Sequence, residues 1–287
     1  MSLCLLASAN LFAESERCVV DDMERLVCLD RPAESIVTLS PGMAELMFEA
    51  GGGDAIVGTT SFSDYPEAAE DIPRIGSFKR LDLEAVLARE PDLIVAWITG
   101  NPTEQVLKLE EMGLPVYWGE QRDFDDVAAT LRRFGVLAGS ENIANARADE
   151  FESQLEALRD RYRDADPVEV FYQIWDDPIM TINGEHLISR AIGVCSGRTL
   201  FSDLERLTPR LDTESILAAD PETIIAGGMG ENDPSWLEYW EQYENMTAVR
   251  RDQLYFVPPS TLQRPTPRIL DGIKQVCHHL DEVRERR

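Results

Sequence analysis

A stretch of seventeen residues occurs twice in this chain of 287 residues, and it constrains the fold more than any other feature. The copies cover residues 80–96 and 210–226, and nine of the seventeen positions are identical. In each copy an aspartate, Asp82 or Asp212, stands where a short helix would begin, a proline follows to stop that helix, and an apolar run suited to a buried strand comes last. The repeat therefore predicts two similar α/β lobes with the functional site between them.

Strand and helix patterns alternate on both sides of a long uninterrupted segment, which indicates βαβ units and parallel sheets. We expect an N-terminal lobe at residues 14–139, beginning with a hairpin, and a C-terminal lobe at residues 166–287. Residues 140–165 contain no Gly or Pro, so they predict one linking helix, capped by Ser140 and about 36 Å long. A rigid helix resists large opening motions, so only modest movement on ligand binding is expected.

The net charge of −26 arises from 53 acidic and 27 basic residues, of which only three are lysines. Such a surface repels nucleic acid and anionic lipid, so neither is an expected partner. It also fits a protein exposed to high salt, although an ordinary acidic protein would look the same.

Residues 1–13 resemble the remnant of a secretory signal, with an apolar stretch followed by small residues. No later run approaches the roughly 18 apolar residues of a transmembrane helix. We therefore expect an exported protein.

Four cysteines follow the leader, as disulfide pairing in an exported protein would require. Cys18 and Cys28 flank an Asp-rich turn and could face each other across a hairpin. Cys195 and Cys277 would then form the second disulfide. The alternative is that these two are separate buried thiols.

Ligands of open α/β sheets bind at the carboxyl ends of the strands, so the residues at those ends are candidates for ligand contact. Aromatic rings, small residues and hydroxyls dominate there, which suits a large, partly apolar ligand. The candidates are Ser40, Pro41, residues 61–65, Trp97, Trp118, Trp175, Gly227, Gly228 and residues 260–264.

Catalytic and metal-binding patterns are not found in the sequence. The histidines are His186, His278 and His279, and the last two fall on the predicted final helix, away from the strand ends. No nucleophile elbow, P-loop or zinc-protease motif occurs, so we expect neither catalysis nor a bound metal.

Glu84 and Glu214 lie at equivalent positions of the two repeats. Each carboxylate can simply stabilise its own helix by interacting with the helix dipole. Together, however, the two could dock on a two-fold symmetric partner that carries arginines.

Several motifs together resemble the periplasmic substrate-binding proteins of iron-siderophore and cobalamin ABC importers, most of all the cobalamin-binding branch. They are residues 36–41, 63–66, 83–84, 90–97 and 266–268. The resemblance covers about residues 33 to 280. It implies two α/β lobes joined by a long helix, a ligand cleft between them and no enzymatic activity or cofactor. It also implies delivery of the ligand to a membrane permease, which Glu84 and Glu214 would engage, and a disulfide between Cys195 and Cys277.

The resemblance also implies ligand contacts. Tyr65 and Trp97 match aromatic contacts, and Arg264 matches a polar contact in the second lobe. Phe78 replaces a tryptophan, Ser260 stands where the branch has an aspartate, and Trp175 could compensate for the lost ring area.

We therefore expect a monomeric periplasmic carrier of cobalamin or a related corrinoid. Two alternatives remain open, which are a ferric-siderophore or haem carrier of the same fold and a secreted α/β enzyme.

Overall fold

A computed structural model describes residues 17–228 and 230–287, and the predicted leader at residues 1–13 lies outside these ranges. The elements up to the linking helix are β1 (Arg17–Val20), β2 (Leu26–Leu29), β3 (Ile36–Thr38), α1 (Pro41–Glu49), β4 (Ile56–Gly58), β5 (Gly76–Ser77), β6 (Arg80–Leu81), α2 (Leu83–Leu87), β7 (Leu93–Trp97), α3 (Thr103–Glu111), β8 (Val116–Gly119), α4 (Phe124–Ala138) and α5 (Glu141–Tyr162). Those that follow are β9 (Val168–Gln173), β10 (Trp175–Asp176), β11 (Ile179–Met180), α6 (Leu187–Val194), β12 (Gly197–Thr199), α7 (Thr213–Ala219), β13 (Thr223–Ala226), α8 (Ser235–Glu238), α9 (Thr247–Arg250), β14 (Leu254–Phe256), α10 (Pro259–Leu262) and α11 (Ile269–Glu285).

Two parallel four-stranded sheets form the centres of the lobes. Their strand orders are β4-β3-β7-β8 and β12-β9-β13-β14. The strands that end the two repeat copies, β7 and β13, take the same place in their sheets. This confirms the predicted α/β fold with two βαβ lobes.

The repeat also has the same backbone geometry in both lobes. Asp82 and Asp212 each accept a hydrogen bond from the backbone N–H three residues later, at 3.0 and 2.7 Å, and so cap α2 and α7. The prolines were predicted to stop these helices; α7 does run up to its C-cap Asp220, directly before Pro221, whereas α2 already ends at Leu87. The residue before each proline, Glu90 or Asp220, has a positive φ of 47° or 42°. A left-handed turn therefore redirects the chain into the strand.

Helix α5 joins the two halves of the chain. It has 22 residues and is about 33 Å long, and one sheet lies before it in the chain and the other after it. Ala144, Ala148, Phe151 and Leu155 form its buried stripe and pack with α4 and α11. Neither this helix nor any other in the described ranges is long and apolar enough to cross a membrane. The exact lobe boundaries stay predictions.

The start of α5 differs from the prediction in one respect. Ser140 occupies the N-cap position, but its side chain does not cap the helix. Instead its hydroxyl donates a hydrogen bond to the carbonyl oxygen of Ala50, 2.6 Å away, which ties α5 to the end of α1.

Helix α4 was not predicted, although its sequence carries a start pattern. The Asp123 side chain accepts a hydrogen bond from the Asp126 backbone N–H, and the Asp126 carboxylate accepts one from the Asp123 N–H at 2.8 Å. This arrangement is a capping box. Gly139 ends the helix with a φ of 72°.

Both predicted disulfides are present. Cys18 and Cys28 are directly paired across the β1–β2 hairpin, which confirms the inference from the turn. Cys195 and Cys277 join the end of α6 to the middle of α11. The alternative of two separate thiols is therefore wrong.

Candidate functional site

A cavity of about 570 Å³ lies between the lobes, at the carboxyl ends of the strands. Its first-lobe wall consists of Ser40, Pro41, Gly42, Met43, Phe62, Asp64, Phe78, Trp97 and Gln121. Its second-lobe wall consists of Gly230, Glu231, Pro259, Ser260, Gln263, Arg264 and Pro265. The predicted position of the cleft is thus the position of the cavity.

Aromatic rings are confined to the first-lobe wall. Phe78 and Trp97 pack with ring centroids 5.9 Å apart, and Phe62 leaves 71% of its surface exposed. The Trp97 indole N–H donates to a Glu120 carboxylate oxygen 3.3 Å away, and a Cβ on Gly100 would lie 1.8 Å from the indole ring. Any residue larger than glycine at position 100 would therefore clash with the Trp97 ring.

The second-lobe wall is mainly polar. The Ser260 hydroxyl donates to a Glu231 carboxylate oxygen at 2.6 Å, and the side chains of Gln263 and Arg264 lie in the same wall. The cavity consequently carries its aromatic rings on one side and mainly polar side chains on the other.

Arg264 bridges the two lobes at this cavity. Its guanidinium donates to the two carboxylate oxygens of Asp64 at 2.6 and 3.3 Å and to the Phe62 carbonyl oxygen at 3.2 Å. Burial alone would raise the pKa of Asp64, but the hydrogen bond and charge of Arg264 outweigh it and hold that pKa below its usual value. Arg264 was predicted as a ligand contact, and in this structure it is already paired.

A buried ionic cluster holds the lobes together beside the cavity. Glu45 of α1 has no exposed surface and accepts two hydrogen bonds from the Arg268 guanidinium, at 2.8 and 2.7 Å. The Thr266 hydroxyl donates to the same carboxylate. Every hydrogen bond in this cluster crosses from one lobe to the other.

The structure brings four of the six predicted ligand-contact residues together in the cavity wall, namely Phe78, Trp97, Ser260 and Arg264. Tyr65 instead faces a separate depression, where the Arg268 guanidinium lies 3.8 Å from the centre of its ring. Trp175 lies on the β10–β11 hairpin, where its indole N–H donates to the Asp177 carbonyl oxygen at 3.0 Å. Ligand contact by any of the six stays a prediction.

Trp118, the other tryptophan expected at a strand end, is buried. Only 1% of its surface is exposed, and its indole N–H donates to a Glu110 carboxylate oxygen at 2.9 Å. It is therefore a core residue and not a cleft residue.

Sequence reasoning did not single out several residues of the wall, among them Phe62, Asp64 and Glu231. Phe62 and Asp64 lie in a loop that was named only as a whole, and Glu231 follows a glycine-rich turn that was interpreted only as a turn. Their position after a predicted strand was the available signal.

The histidines lie outside the cavity wall. The His186 ring nitrogen Nδ1 accepts a hydrogen bond from the Ile188 backbone N–H at 3.1 Å and so caps α6. Burial lowers the pKa of His186 to about 4. His279 stacks on Tyr255 with ring centroids 4.3 Å apart. Within residues 17–228 and 230–287, no three His, Cys, Asp or Glu side chains are grouped so that they could hold a metal ion.

Glu84 and Glu214 occupy matching positions in the first turns of α2 and α7, and both are exposed. No salt bridge to either occurs among the residues that the structure describes. Both carboxylates are thus available to an external cation.

Comparison with known proteins gives consistent matches. The profile of the family described as periplasmic binding protein matches residues 36–261. The vitamin B12-binding protein of Vibrio campbellii is 32% identical over 257 residues, which are 89% of this chain and 92% of that protein. The corresponding protein of Yersinia pseudotuberculosis is 28% identical over 274 residues, 96% of either chain.

Solved structures show the same architecture. The periplasmic vitamin B12 binding protein of Vibrio cholerae superposes with a TM-score of 0.81 at 31% identity, covering 88% of this chain and 98% of that one. A periplasmic haem-binding protein from a Roseiflexus species superposes with a TM-score of 0.78 at 20% identity, covering 88% and 99%. The second similarity concerns the fold alone.

Proposed function

This chain belongs to the periplasmic binding protein family, and from this premise we propose that it captures cobalamin or a related corrinoid and delivers it to an ABC importer. Membership confirms the family resemblance that the sequence motifs carry. The family and its solved member are periplasmic, which confirms the predicted location. Proteins of this family are substrate carriers and not enzymes, so the alternative of a secreted enzyme is set aside.

The contrast between an aromatic first-lobe wall and a mainly polar second-lobe wall is the observation that supports a corrinoid most directly. A corrin ring is a large, flat macrocycle whose edge carries carboxamide groups. The rings of Phe62, Phe78 and Trp97 offer faces and edges for the macrocycle. Ser260 and Gln263 on the opposite wall offer hydrogen-bonding groups for the carboxamides.

The charge of the cavity wall argues against haem and carboxylate siderophores. Such ligands carry anionic groups that need free cations, but Arg264 is paired with Asp64 at 2.6 Å. Arg80, the other arginine considered from the sequence, does not line the cavity. No histidine or tyrosine that could ligate haem iron lies in the wall formed by the described residues.

Titration of the purified protein with cyanocobalamin tests the proposal. We expect saturable binding in calorimetry together with quenching of tryptophan fluorescence. The variant Trp97→Ala should bind roughly 30-fold more weakly, since loss of a central aromatic contact costs about 2 kcal/mol.

Met112→Ala is the control, because Met112 is an exposed apolar residue outside the cavity wall; its affinity should match that of the wild type. Haemin and a ferric siderophore should not bind. Absence of saturable corrinoid binding by the wild type would refute the proposal.

Delivery to the importer is the second half of the proposal. Glu84 and Glu214 are exposed at matching helix starts, as docking on a pseudo-symmetric pair of permease arginines requires. The double variant Glu84→Arg/Glu214→Arg should bind ligand normally but reduce uptake by about tenfold or more. Glu156→Arg/Glu285→Arg changes the net charge equally at exposed sites elsewhere and should transport normally. Normal uptake by the first double variant would contradict the docking role.

A further inference from the structure

Glu231 is a charged residue of the cavity wall to which neither half of the proposed function assigns a role. One of its carboxylate oxygens, Oε2, accepts the 2.6 Å hydrogen bond from the Ser260 hydroxyl. No salt bridge to Glu231 occurs within the described part of the chain. The residue is exposed and lines the cavity, so Oε1 remains available as an acceptor.

The charges of the wall do not cancel at Glu231. The charged wall residues are Asp64, Glu231 and Arg264. Asp64 and Arg264 form a salt bridge at 2.6 Å. The Arg264 guanidinium also lies 4.0 Å from a carboxylate oxygen of the buried Glu45. No cation in the wall is therefore left for Glu231. The polar side of the cavity presents one uncompensated negative charge.

The position of Glu231 depends on the turn that follows β13. Gly228 has a φ of 63°, and a Cβ at this position would lie 2.3 Å from the Asp233 carbonyl oxygen. Only glycine fits this backbone without displacing the turn. The backbone at Gly228 is thus specified locally, and the Ser260 hydrogen bond orients the Glu231 carboxylate.

We propose that Glu231 is a specificity-determining residue that accepts a hydrogen bond from an uncharged carboxamide N–H at the ligand edge and repels a carboxylate at the same place. This inference rests on the proposed corrinoid function and names the edge chemistry that the site selects. A carboxylate has only acceptor atoms, so it pairs with an N–H donor and disfavours a second anion.

Three corrinoids with a common ring test this role. Cyanocobalamin and dicyanocobinamide carry carboxamides, whereas the dicyano form of cobyrinic acid carries carboxylates. Dissociation constants are measured by calorimetry for the wild type, Glu231→Gln and the control Glu238→Gln, which removes the same charge from an exposed residue outside the wall. Thermal unfolding confirms that each variant is folded.

We expect the wild type to bind the two amides and to discriminate strongly against the acid. Glu231→Gln should bind the amides about tenfold more weakly, because a hydrogen bond to a charged acceptor becomes one to a neutral acceptor. It should also bind the acid more tightly, so that the discrimination ratio falls by more than the amide affinity does. Glu238→Gln should behave like the wild type.

Two outcomes overturn the inference, and they differ in whether the proposed function also fails. If Glu231→Gln keeps the discrimination ratio of the wild type, whether or not both affinities fall together, Glu231 does not select the ligand edge while corrinoid binding stands. If the wild type binds none of the three corrinoids, the proposed function fails and this inference fails with it.

Discussion

The buried Glu45 cluster gives the sharpest prediction about stability. In the variant Glu45→Gln the side chain keeps its size but loses its charge, and its amide N–H₂ group meets the guanidinium that previously donated to a carboxylate. Arg268 then retains a buried positive charge with only 17% of its side chain exposed. Removal of one partner from a buried ion pair costs about 3 to 5 kcal/mol.

The lower end of this range applies here. Arg268 keeps its contact with the Tyr65 ring, 3.8 Å from the ring centre, and some access to water. We therefore expect Glu45→Gln to lower the free energy of unfolding by about 3 kcal/mol. At roughly 2 to 4 °C per kcal/mol for a chain of this size, the melting temperature should fall by about 6 to 12 °C.

Urea unfolding and calorimetry measure this change, and two further variants control it. Glu34→Gln removes a carboxylate that is 69% exposed and should cost at most about 0.5 kcal/mol. Glu45→Met/Arg268→Met removes both charges and should recover much of the lost stability, since no charge remains buried without a partner. The reasoning is refuted if Glu45→Gln costs no more than Glu34→Gln, or if the losses of the two single Met variants simply add in the double variant.

Two other predictions concern stability. The disulfides Cys195–Cys277 and Cys18–Cys28 close loops of 82 and 10 residues. In the chain-entropy account, replacing the first pair by Ala should lower the free energy of unfolding by about 4.5 kcal/mol and replacing the second pair by about 2.7 kcal/mol. Equal losses in denaturant titrations would contradict that account. His186 has a pKa of about 4 in the folded protein and about 6.5 when unfolded, so the unfolded state binds more protons between these values and stability should fall as the pH drops from 6.5 to 4. His186→Asn keeps a cap acceptor without this titration, and an unchanged pH profile of its melting temperature would exclude the effect.

Local patterns made the architecture predictable from the sequence. The repeat placed β7 and β13 correctly because caps, helix turns and buried strands are encoded over a few residues. Helix α4 was missed although Asp123 and Asp126 form its capping box, so in this case the signal was present and was not used.

The cavity wall was less predictable because its contacts join distant residues. Asp64 and Arg264 are 200 positions apart, and Glu45 and Arg268 are 223 positions apart. No periodicity links such pairs. Strand ends could indicate which loops meet, but they could not show that Arg264 is already paired or that Arg268 covers Tyr65.

The unequal walls of the cavity have a consequence for ligand release. If an importer drew the lobes apart, water could replace the hydrogen bonds of the polar wall at little net cost. Water offers no such replacement for the contacts that a ligand would make with the rings of Phe62, Phe78 and Trp97. A bound ligand would therefore leave the second lobe first and stay on the first, so that the order of detachment is set by which lobe carries the rings.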